Sequence, residues 1–213
     1  MKKSLQRQNI GIQNKNVTVS LNQKEIKSCH KEILREIQEG SNQDLKATLK
    51  RVCKDVDLYR IATPEDVLNG YDGEGKSLLN KAIETKASKS KIKILIDNGC
   101  KIQNKDQKQN TPLIIAASSG QDEIIKLLID ETKKRSTKFP FIKVDYEFIN
   151  QIDSMRHTAL DWTISNNHIS TQNLLIANKA KTAQQLIMDR ADITTIKPSN
   201  ASSLENRISK SRR

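Results

Sequence analysis

No apolar run in this chain approaches the ~18 residues needed to cross a bilayer, so no membrane insertion is expected. Met1-Lys-Lys is basic, but no apolar stretch follows it, and no secretory leader is expected either. Cysteine is scarce: three residues, at 29, 53 and 100, an odd number at helical or repeat-core positions. That argues against a disulfide framework and predicts buried, reduced thiols. Histidine is equally rare, and His30, His157 and His168 stand at no metal-ligand spacing from the cysteines. Cys29 and His30 are adjacent, and neighbouring side chains on a helix diverge by about 100°. No Gly-rich phosphate loop followed by Lys-Ser or Lys-Thr is expected, and no Gly-x-Ser-x-Gly elbow. No catalytic residue, metal, cofactor or small-molecule substrate is therefore expected.

Basic charge is plentiful, and its placement decides its meaning. The net charge is +12, yet residues 25–180 hold 25 basic against 22 acidic residues. The excess sits at the ends: five basic and no acidic residues over 1–24, seven against three over 181–213. A nucleic-acid-binding fold should line its own groove with Lys and Arg, so specific recognition of nucleic acid is not expected. Salt-sensitive contact between basic flanks and polyanions is an alternative reading. The segment 197–213 has too few apolar residues to pack, and both flanks are expected to be disordered.

Between the flanks the chain repeats itself. Residues 106–120 read Asp-Gln-Lys-Gln-Asn-Thr-Pro-Leu-Ile-Ile-Ala-Ala-Ser-Ser-Gly. Thr111 can cap a helix, Pro112 needs no amide partner at its first position, and Gly120 suits a tight turn. Ala116 and Ala117 allow another helix to approach. Residues 121–130 then carry apolar positions at helical spacing. The frame recurs at Asp72-Gly-Glu-Gly-Lys-Ser77-Leu-Leu and at Asp153-Ser-Met-Arg-His-Thr158-Ala-Leu. Asn69, Gln103 and Asn150 each stand three residues before the aspartate. The three aspartates are expected to anchor finger turns through side-chain to backbone hydrogen bonds.

Finger, turn, helix, turn, helix, with a Thr-Pro-Leu core at a period of about 33, resembles the ankyrin repeat. The resemblance covers about residues 25–190 and implies an all-α ankyrin-repeat solenoid of stacked helix-turn-helix units with finger loops, flanked by disordered basic tails. Units are expected at 25–53, 72–100, 106–130 and 153–180, with a closing helix at 183–190, a basic arm at 1–24 and a tail at 191–213. Thr63-Pro-Glu-Asp66 is expected to open a short extra helix. From Thr111 to Thr158 the interval is 47 residues, so an insertion of about fourteen follows the second finger unit. Within it, Lys133-Lys-Arg135 is read as a solvated basic loop and residues 139–149 as an extended strand. The histidine usual after Thr-Pro-Leu is replaced by Asn80, Ile114 and Asp161, so its turn hydrogen bonds are lost or remade. His168 is expected to be solvent-exposed.

Members of that family bind protein partners with the fingers and the first helix of each unit. Carried over, this selects Glu74, Lys76 and Glu84 in one unit; Gln107, Lys108, Asn110, Ser118 and Ser119 in the next; and Met155, His157, Ser165 and Asn166 in the third. Phe139, Phe141 and Tyr146 are read either as a staple that holds the insertion to the neighbouring repeats or as a secondary, aromatic docking candidate. The expected activity is that of a monomeric, non-catalytic protein-interaction module with a protein partner. The polar, net-positive end with Arg207, Lys210, Arg212 and Arg213 is similar to C-terminal signals on some substrates of bacterial type IV secretion. High lysine, isoleucine and asparagine usage fits an AT-rich genome, such as that of an obligate intracellular bacterium or a protist. The implied setting is a bacterial effector delivered into a host cell without a signal peptide; the alternative is a cytoplasmic scaffold or inhibitor of its own cell.

Overall fold

A computed structural model describes residues 27–59, 63–138 and 144–195 of the chain. The expected disordered arm at 1–24 lies outside the described residues, as does everything beyond 195. Helix α1 covers residues 27–38, followed by α2 (Asn42–Tyr59) and α3 (Pro64–Asn69). Three matched pairs succeed them: α4 (Leu78–Glu84) with α5 (Lys89–Asp97), α6 (Pro112–Ser118) with α7 (Asp122–Lys138), and α9 (Ala159–Ser165) with α10 (Ile169–Ala177). Helix α8 (Val144–Ile149) is inserted before the third pair and α11 (Ala183–Thr195) closes the array.

The first helix of each pair starts for the same local reason. Ser77, Thr111 and Thr158 adopt extended backbone and accept hydrogen bonds from the amides of Asn80, Ile114 and Asp161. Each satisfies one amide that the helix leaves without an internal partner. Thr158 and Asp161 close a full capping box, as do Thr63 and Asp66 at α3. All three helices end nine residues after the cap at a left-handed residue: Lys86, Gly120 and Asn167. The finger before each cap contains another, at Gly75, Gln109 and Arg156. Where the residue is not glycine, this backbone costs roughly 1–2 kcal/mol.

Packing runs in two rows. Helices α4, α6 and α9 line up side by side, and α2, α5, α7 and α10 form the row behind them. Ala82, Ala116, Ala117 and Ala159 are buried in the front row, where small side chains let the helices approach. Leu79, Ile83, Ile92, Leu95, Leu113, Ile125 and Leu128 fill the space between the rows. Each unit also mends its predecessor's helix end. Gln121 Nε2 donates to Ile83 O at 2.9 Å, and His168 Nε2 meets Ser118 O at 3.1 Å. His168 is therefore half-buried, where solvent exposure was expected.

The insertion departs from expectation. Lys133-Lys-Arg135 is no loop, because α7 runs two further turns. Glu131 and Thr132 are buried on it, Lys134 pairs with Glu131 at 2.8 Å, and Lys133 reaches Asn178 at 2.9 Å. The expected strand is also corrected: residues 144–149 are helix α8, and 139–143 lie outside the described residues. A strand here would leave its backbone groups without a partner edge, whereas a helix satisfies its own and buries Phe148 and Ile149 beside α7. Helix α11 continues to Thr195, five residues past the boundary expected for a tail.

Candidate interaction groove

Each finger is organised by its aspartate. Asp72 Oδ1 accepts from the amides of Glu74 (2.8 Å) and Lys76 (2.9 Å). Asp153 Oδ1 accepts from Met155 (2.9 Å) and His157 (2.8 Å). Asp106 takes the amide of Asn110 at 2.8 Å and its side chain at 3.0 Å. The second and third fingers are joined by Ser154 N donating to Lys108 O at 2.9 Å. These bonds fix which side chains the fingers present.

Residues 70–77 carry the spacing Gly-x-x-x-x-Gly-Lys-Ser of a phosphate-binding loop, which corrects the expectation that the chain has no such pattern. The geometry is not that of a phosphate cradle. A helix precedes the loop where a strand is required, and Ser77 is occupied as the cap of α4. The Asp72 carboxylate already holds the loop amides that would face an anion. Lys76 is committed to Glu84 at 2.7 Å. The pattern is a finger turn whose residues happen to fit.

Fingers and front-row helices border a concave groove of about 520 Å³. Nine of the residues selected from the sequence converge on it: Glu74, Lys76, Glu84, Gln107, Lys108, Asn110, Ser118, Ser119 and Met155. One end is ionic. Lys76 bridges Glu84 and Glu74, and Lys81 reaches Glu74 at 2.9 Å. The bonds from Lys81 and Lys76 hold the Glu74 carboxyl below its ordinary range, and the bond to Glu84 raises the Lys76 ammonium. Ser118, Ser119 and Ile115 form the uncharged middle, and Met155, 65% exposed, stands with Trp162 at the apolar end.

The remaining selected residues lie elsewhere. His157 meets Trp162 edge-on, with ring centroids 5.4 Å apart, and backs the groove wall without lining it. Asn166 donates to Ser118 O at 2.8 Å, joining the third unit to the second. Ser165 is exposed outside the groove lining. Tyr146 lies in a different groove, and Phe139 and Phe141 lie outside the described residues. Trp162 and Ile115 were not selected from sequence, although both stand four residues after a helix cap, as Lys81 does. That register is the signal that identifies them. Asp153 Oδ2 accepts from Trp162 Nε1 at 2.8 Å, so the finger carboxylate also sets the indole.

The asparagines that precede two of the fingers serve the array. Asn69 Oδ1 accepts from Lys101 N and Asn150 Oδ1 from Lys181 N, both at 2.7 Å, while Gln103 is exposed. Asn80 is a poor substitute for histidine: its Nδ2 makes two 3.5 Å contacts and its buried Oδ1 has no partner. Asp161 is a good one, accepting from Thr158 N at 2.8 Å and Ala183 N at 2.9 Å. Of the cysteines, Cys100 is buried and Cys29 and Cys53 are half-buried. Burial pushes the Cys100 thiol up to about 12 and raises Cys53, so these two stay protonated and unreactive at neutral pH. Among the described residues no helix is long and apolar enough to cross a membrane.

Stacked helix pairs that project fingers along one concave face define a helical repeat protein that works through its surface. A family model described as ankyrin repeats (3 copies) matches residues 26–139 and 79–185, and the chain belongs to the ankyrin-repeat family. Ankyrin repeats mark a protein-protein interaction module. No curated protein sequence matches the chain.

Proposed function

We propose that the chain is a non-catalytic binding module that holds a protein segment along the concave groove. The observation that carries this is the convergence of fingers and front-row helices on one surface graded from ionic to apolar. Met155 and Trp162 supply the apolar anchor, and the Glu74–Lys76–Lys81–Glu84 cluster sets the register of a polar partner. The finger carboxylates are taken up by their own turns and do not converge on a substrate, which supports a non-catalytic role. The test is affinity capture with the wild-type chain and with a Ser119→Arg, Met155→Asp variant of unchanged melting temperature. Partners of the groove are retained by the first and lost by the second; equal retention of every captured protein refutes the reading.

The host-directed setting is the finer part of this proposal, and it rests on the net-positive sequence at 200–213, outside the described residues. Deleting that segment is expected to abolish translocation into host cells. Undiminished translocation leaves the alternative of a scaffold or inhibitor acting in its own cell.

A further inference from the structure

A second groove, of about 450 Å³, shares no lining residue with the concave one. It lies between α8, the third finger and α11, so two of its walls are elements outside the repeating helix pairs. Its apolar floor is Tyr146, Ile152, Leu186 and Ile187. Three of these are large side chains left open to water: Tyr146 at 38%, Ile152 at 39% and Ile187 at 53% exposure. The end of a repeat array ordinarily turns a polar face outward, so an apolar floor here needs a reason.

The rim supplies it. Lys105, Arg156 and Arg190 border the groove, and none makes an ion pair among the described residues. Lys181 lies over the Tyr146 ring at 5.8 Å from its centroid, but its charge is matched by Asp189 at 2.5 Å. Among the described side chains that line the groove, Glu147 is the one unmatched anion, which leaves a net of two positive charges around an apolar floor. Gln151 adds a buried side-chain oxygen without a hydrogen-bond partner. After a small rotation, an N–H of an occupant would supply the donor it lacks.

The geometry points to a second docking site whose occupant is an acidic amphipathic protein segment, with apolar residues on the floor and carboxylates facing Arg156, Arg190 and Lys105. This occupant is distinct from that of the concave groove. A basic segment is repelled by the same rim, and an acidic segment without apolar residues leaves the floor wet.

The experiment uses the full chain and fluorescence anisotropy with a labelled helical peptide bearing leucines on one face and glutamates on the other. Two control peptides replace the glutamates by lysine or the leucines by serine. The basic flanks give a background common to all variants. The leucine–glutamate peptide is expected to bind above both controls, to weaken with added salt, and to weaken about tenfold in Arg156→Glu, Arg190→Glu. Ser119→Arg, in the concave groove, is expected to leave it unchanged, so failure of this proposal and of the concave-groove reading are separable. Equal binding of the serine control, or indifference to the charge reversal at unchanged melting temperature, overturns it. So does binding to phosphatidylserine vesicles that Arg156→Glu, Arg190→Glu abolishes and that excess peptide does not displace.

Discussion

Asp153 allows the finger and the groove to be tested together. Its carboxylate accepts three hydrogen bonds, from Met155 N, His157 N and Trp162 Nε1, and its side chain is 5% exposed. In Asp153→Ala the two finger amides can turn to water and lose about 1 kcal/mol each, while the half-buried indole N–H loses about 1–2 kcal/mol. The expected cost is about 3–4 kcal/mol, a fall in Tm of about 6–16 °C for a domain of this size. Asp72→Ala gives up two amide bonds and no indole, so about 2 kcal/mol is expected there. The sharper variant is Asp153→Asn, which keeps Oδ1 but sets an amide NH2 against the indole N–H. It is expected to cost about 2 kcal/mol alone and far less on a Trp162→Phe background, giving a coupling of about 1–2 kcal/mol. Urea denaturation followed by circular dichroism on the four proteins closes the cycle. Trp162 is the chain's single tryptophan, so its emission reports this unit alone in the variants that keep it. A coupling below about 0.3 kcal/mol, within ordinary additivity error, would refute the claim that the carboxylate positions the indole.

His30 is buried between α1 and α3 and donates from Nε2 to Val67 O. Burial lowers its pKa from 6.5, against the opposing influence of the Val67 bond and the Asp72 carboxylate. The unfolded chain then binds more protons than the folded one below pH 6.5, so stability is full above that value and is lost as pH falls through the depressed folded pKa. His30→Gln, which retains a donor, is expected to flatten that slope in urea titrations run between neutral and mildly acidic pH; an unchanged slope would refute the assignment. Gly120 is left-handed at φ +65°, and an added Cβ would stand 3.0 Å from the His168 ring. Gly120→Ala is therefore expected to cost about 1–2 kcal/mol, while Asn167→Gly, at the same register, gains a few tenths to about 1 kcal/mol. A Gly120→Ala variant that melts at the wild-type temperature, or an Asn167→Gly variant that melts below it, would refute this account of the turn.

The features legible in the sequence are those set within four residues. Thr111, Pro112 and the finger aspartates act on amides a few positions away, so their spacing alone reveals their work. The second unit keeps Thr-Pro, the alanine pair and Gly120, and aligning the others to it located the groove. What was not legible depends on longer range. The extension of α7 turns on Glu131 and Thr132 being buried beside neighbouring helices, a fact absent from a local reading of Lys133-Lys-Arg135. The alternation in 139–149 suggested a strand, but among the described residues no sheet edge is there to receive one. Gln109, Arg156 and Lys86 occupy left-handed turns where glycine would be the obvious cue, and only register with Gly75 and Gly120 gives them away.

The two ends of the concave groove differ in how binding relates to stability. At the ionic end, Glu74 and Glu84 are well exposed, at 62% and 44%, so their pairs with Lys76 and Lys81 contribute little to folding. On the proposed reading, substitutions there redirect a partner without unfolding the array. At the apolar end Trp162 shares a buried carboxylate with the third finger, so the groove lining and the local fold rest on one group. Loss of binding in Trp162→Ala would therefore not distinguish a lost contact from a loosened finger. Met155, whose side chain is exposed and whose backbone alone meets Asp153, separates the two. If Met155→Ala weakens binding at unchanged melting temperature while Glu74→Gln alters only its salt dependence, the partner is anchored at the apolar end and steered at the ionic one. The reverse pattern would place the anchor in the charge cluster and make the indole a brace for the finger.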